Sequence, residues 1–161
     1  MKAKNIDGTI KTYNSTPKSW GNVIGGFDLL TDSQLESYGF YNIEDIKTTH
    51  SDFDSRIHNK GSLSFDSDNN IYIWSKENKT WTQTLSELKT KTISNLKYSY
   101  QSEIGKTDWK VTKYLEKGES VPQSLKDERE ALRVECNKHE DSINSKNSKS
   151  DVITYDLPNF M

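Results

Sequence analysis

The side chains able to do recognition chemistry are concentrated in one stretch. Lys106-Thr107-Asp108-Trp109 is followed by Glu116, Gly118 and Val121-Pro122, and then by Arg129 and Arg133. A carboxylate beside a large ring, a Gly/Pro turn and two guanidinium groups four residues apart suit burial of an anchor and presentation of charge. Arg129 falls on the apolar stripe of a helix, so it is the better placed of the two arginines to fork onto a carboxylate such as Asp108. Arg133 reads as a helix-surface residue pairing with neighbouring acids, or as a partner-facing charge. Trp109 has two competing readings. In the favoured one it fills the small core beneath a helical hairpin while Thr107 or Asp108 caps a helix. In the other it is an interface anchor, flanked by arginine as binding hot spots often are.

Other potentially reactive groups carry less. Asp66-x-Asp68-x-Asn70 with Glu77 outlines a calcium loop, but Ile71 stands where that loop needs glycine, so an Asx-rich turn is expected. His50 and His58 lie in a polar stretch with Asp52 and Asp54, and no third or fourth ligand at zinc-site spacing accompanies them. His139 reads as a helix-surface or interface residue. Cys136 is the sole cysteine and sits on a helical apolar stripe, where a buried, inert thiol is expected. There is no Gly-x-Ser-x-Gly elbow and no cysteine at a helix N-terminus. The expectation is a protein that is not an enzyme, with no cofactor and no metal.

These residues need elements to position them. Asp7-Gly8 between Ile6 and Ile10 marks a tight hairpin turn in an otherwise irregular first 30 residues, where Trp20, Val23, Ile24 and Phe27 are the apolar anchors. Thr31 caps a short helix that Gly39 ends. Leu63–Phe65 and Ile71–Trp74 alternate about a turn at Asp66–Asn70, giving a second hairpin. Ile93, Leu96, Tyr100 and Ile104 then line one face of a helix that starts near Thr84. A short helix or extended segment covers Thr107–Leu115. Ser124 is expected to cap the longest helix, whose stripe is Leu125, Arg129, Leu132, Cys136, His139 and Ile143. The fold class is α+β: a β-rich part over residues 1–82 with one short helix, then a helical hairpin module over 83–143. A polar linker over 144–150 leads to an extended apolar tail over 151–161. That tail either packs back on its own domain or docks elsewhere through Tyr155, Leu157, Phe160 and Met161.

Composition narrows the classes. Only 31% of the 161 residues are hydrophobic, so the core is thin; four Trp, eight Tyr and five Phe partly compensate. The net charge of −2 lacks the basic excess that phosphate binding draws on, so no nucleic-acid partner is expected. One cysteine rules out an internal disulfide. No membrane span and no signal peptide are expected, which implies synthesis in a cytoplasm.

The segment from about Leu96 to Ile143 resembles the C-terminal helical module of small tail-associated proteins of tailed bacteriophages, with the ordered pattern T-D-W, E-x-G, V-P and R-x-x-x-R. Thr107, Asp108, Trp109, Glu116, Gly118, Val121, Pro122, Arg129, Leu132 and Arg133 carry it. Leu30-Thr31-Asp32 with Leu35, Gly39 and Phe40 resembles the segment that precedes the module, with Phe40 where Trp is common. The resemblance implies a non-catalytic virion structural protein of the tail, neck or tail fibre, in a symmetric homo- or hetero-oligomeric assembly with other virion subunits. Its alternatives are a tail-fibre assembly chaperone absent from the finished particle and a small regulatory or host-takeover binding protein. The candidate interface residues, read from the chain itself, are Trp109, Arg129 and Arg133, with Tyr155, Leu157, Phe160 and Met161 of the tail.

Overall fold

The computed structural model describes residues 1–160, leaving Met161 outside the described residues. The chain is α+β and divides into two compact units, residues 1–79 and 80–161. The division falls three residues before the expected one.

The first unit begins with β1 (Lys2–Ile6) and β2 (Thr9–Tyr13), so the opening residues are more regular than expected. Ile6 pairs with Thr9, and Asp7 (φ 52°) and Gly8 (φ 83°) take the two left-handed positions that a two-residue hairpin requires. β3 (Tyr41–Asn42) pairs along the other edge of β1, giving the order β2-β1-β3. The buried charge of Lys2 is matched by Asp32 and by the Asn42 amide oxygen, each 3.0 Å away. Helix α1 (Asp32–Ser37) opens with Thr31, whose side chain and that of Gln34 cap each other's backbone. Its end delivers Phe40 to a ring cluster with Phe27, Trp20 and Tyr13, in which Trp20 meets Phe40 edge-on at 4.9 Å. Trp20, Val23 and Phe27 are anchors as expected, whereas Ile24 is 92% exposed. After a one-turn helix α2 (Ile46–Thr49) comes the hairpin of β4 (His58–Asp66) and β5 (Ile71–Asn78). Asp66 Oδ1 accepts from the amides of Asp68 and Asn69 at 3.0 and 3.3 Å, and Asn70 is left-handed (φ 54°): an Asx turn in place of a calcium loop.

The second unit is helical: α3 (Leu85–Gly105), α4 (Asp108–Glu116), α5 (Gln123–Asn144) and α6 (Lys149–Ile153). Thr84 and Glu87 form the capping box that starts α3. α5 starts differently from the expectation. Ser124 lies inside the helix, and Pro122 takes the cap position with no side-chain hydrogen bond, its ring presetting the backbone for entry. The stripes of α3 and α5 meet as expected, burying Leu88, Leu96, Tyr100, Cys136 and Ile143.

The C-terminal segment corrects the sequence reading twice. The supposed linker over 144–150 is shorter than expected: Asn144 closes α5, residues 145–148 form the connection, and Ser148 caps α6 by accepting from the Asp151 amide at 3.0 Å. The tail then folds back. Val152 is fully buried, Tyr155 and Leu157 pack on the same core, and the Phe160 ring stands edge-on to Tyr100 at 4.8 Å. Of the two readings of the tail, packing on its own domain describes these side chains, and they are not free anchors. Met161 lies outside the described residues.

Candidate docking surface

Arg129 organises the surface from beneath. It projects from α5 into the corner where α3 ends and α4 begins. One terminal nitrogen donates to the Ile104 carbonyl at 3.0 Å and to the Thr107 hydroxyl at 2.6 Å. The other lies 2.7 Å from Asp108 Oδ1. The last carbonyls of a helix have no partner within it, and a cation there is favoured by the helix dipole. A carboxylate in the first turn of the next helix is favoured for the opposite reason. One guanidinium thus serves both helix ends and fixes the direction in which α4 leaves α3. Its side chain is only 16% exposed, against 65% for Asp108.

α4 is then held chiefly at its start. None of its nine residues is buried, although it contains Trp109, Val111, Tyr114 and Leu115. Trp109 is 62% exposed, which overturns the reading that it fills the core. The reason is geometric. The corner that Arg129 occupies sets α4 off from the α3–α5 pair, whose core is already closed by Val152 and Phe160 from the tail. Trp109 instead walls a groove of about 400 Å³ between α4 and α5, with Tyr114, Pro122 and Leu125 as its other apolar surfaces and Lys110, Lys113 and Glu128 as its charges. Lys110 Nζ lies 5.9 Å from the Trp109 ring centroid, a cation–π distance. The opposite side of α4 borders a second groove that includes Val111, Val121, Arg129 and Arg133. Arg133 pairs with Glu130 at 3.2 Å, both well exposed, so it remains available at the surface.

The other singled-out groups are structural. His58 Nδ1 accepts from the Asp54 amide at 3.0 Å, and His50 Nε2 lies 3.2 Å from the Trp74 carbonyl. No set of three or more metal-ligating side chains occurs among the described residues. Cys136 is buried, and burial raises its thiol pKa, with Glu140 adding to the effect. His139, expected as a helix-surface or interface residue, is partly exposed on α5, and its Nδ1 lies 2.6 Å from the Tyr155 hydroxyl, where it helps hold the tail.

The structure therefore brings Arg129 and Asp108 together, sets Trp109 beside them on the surface, and packs Tyr155, Leu157 and Phe160 on the α3–α5 core. Sequence reading missed Tyr114 and Pro122 as groove walls and Thr107 as an Arg129 partner. The available signal was the spacing of Lys110, Lys113 and Lys117 around Trp109 and Tyr114, a basic-aromatic face on a short helix.

The chain matches no protein-family model, no curated protein and no solved structure. No described helix is long and apolar enough to cross a membrane.

Proposed function

We propose that this chain is a non-catalytic docking protein, a structural subunit of a bacteriophage virion associated with the tail, neck or tail fibre and made in the host bacterial cytoplasm. The observation that carries the docking reading is the exposed ring of Trp109 on a helix with no fully buried side chain. An isolated nine-residue helix is marginal in water, and apolar side chains on its open face gain burial only from a partner. The virion context rests on the resemblance of the Thr107–Arg133 region to tail-associated phage proteins. A subunit of a symmetric assembly meets copies or neighbours that supply such burial.

Quantitative mass spectrometry of gradient-purified particles tests this reading. The wild-type chain is expected at a fixed copy number per particle. Trp109→Ala, folded by circular dichroism, is expected to drop out of particles. Presence in the infected lysate with absence from particles would instead favour an assembly chaperone.

A further inference from the structure

We infer that the groove between α4 and α5 takes a short acidic peptide segment with an apolar side chain at its centre, presented by a partner protein. The inference rests on the docking reading above and adds the chemistry of what docks.

Trp109, Tyr114, Pro122 and Leu125 give the groove apolar walls, and about 400 Å³ is room for one or two inserted side chains rather than a whole helix. Charge then selects the partner. Lys110 and Lys113 stand on the α4 wall, and Lys117 continues the same face one turn later. Among the described residues none of the three has a carboxylate within ion-pair distance; Lys110 has only the Trp109 ring. Lys97 and Lys106 in the same unit do have carboxylates, Glu140 and Glu103, and neither lines the groove. Unmatched ammonium groups beside an apolar slot are complementary to carboxylates flanking an apolar residue, and such complementarity sets specificity and association rate.

A polyanion fits less well. Glu128 lies on the opposite wall, so a phosphate backbone laid in the groove would meet like charge inside it. A peptide with a few carboxylates reaches the lysines alone, while its backbone amides offer donors to Glu128.

The test pans a display library of random dodecapeptides on the immobilised full-length chain. Polarisation measurements on the synthesised winners then compare wild type with Lys110→Glu/Lys113→Glu and Trp109→Ala. The expected winners carry carboxylates on both sides of an apolar residue and lose about tenfold in affinity or more in each variant, with the helical signal intact. Binding should also weaken as salt is added. Absence of enrichment, a basic consensus, or binding indifferent to these substitutions overturns the inference. Equal or tighter binding of oligo(dT) with the same dependence on Lys110 and Lys113 overturns it in favour of nucleic acid. Self-association of the chain that Trp109→Ala abolishes overturns it in favour of a second copy. If the peptide experiment fails while Trp109→Ala is still lost from particles, the partner chemistry is wrong and the docking reading stands.

Discussion

Arg129 makes contacts of unequal worth, and their difference can be measured. The Ile104 carbonyl and the Thr107 hydroxyl are approached from a half-buried position, where a charged hydrogen bond contributes about 1.5–3 kcal/mol. Asp108 is mostly in water, and an ion pair to such a group is screened and contributes at most about 1 kcal/mol. Arg129→Ala should therefore lower the urea midpoint of the second unit clearly more than Asp108→Ala does. Equal effects would mean that the ion pair, not the corner, holds the helices. Tyr100 offers a second test. Its hydroxyl is buried with no hydrogen-bond partner among the described residues. Burial, which disfavours the phenolate, and the nearby Glu135 carboxylate push its pKa up from 10 to about 12. In the unfolded chain the phenol ionises first. Between these two values the folded state thus holds the extra proton, and stability falls as pH rises. Tyr100→Phe should remove that part of the alkaline decline. Near neutral pH it should be neutral or stabilising, because it deletes an unsatisfied donor.

At the level of elements, strong local signals translated directly into structure. Asp7-Gly8 demanded a left-handed turn, Thr84 and Glu87 stand at capping-box spacing, and the apolar stripes of α3 and α5 needed each other. What stayed hidden depended on contacts distant in sequence. The exposure of Trp109 follows from where Arg129 turns the chain, and a nine-residue helix has too few turns for periodicity to say which face is inward. The pairing of His139 with Tyr155 crosses a turn that composition presented as a linker. The same folding back sets what truncation should do. Val152 is completely buried and Phe160 covers Tyr100, so removing residues 151–161 opens the α3–α5 core. Val152→Ala alone should cost about 2 kcal/mol in chemical denaturation of the second unit, as deletion of buried methyl groups does. A negligible loss would show the tail to be only loosely seated.

At the level of the whole molecule, the division between Lys79 and Thr80 separates two cores of different make. The first is a ring cluster around Phe27 and Phe40; the second is a helix seam around Leu96, Tyr100 and Ile143. Units of about 80 residues bury a modest fraction of their surface and are individually marginal, yet each here has its own core. The fragment from Thr80 onward should keep its helical circular dichroism and a cooperative melt. Loss of both would show that the helix seam does not suffice alone. Within that unit stability is graded, and α4 lies at the low end. Its first turn is clasped by Arg129 while the rest of the helix faces grooves on two sides. Its amides should therefore exchange with solvent faster than those of α3 and α5 in hydrogen-exchange measurements, through local opening. A partner that closes on Trp109 gains contact area and also stills this motion, so part of its binding enthalpy is spent as lost conformational entropy.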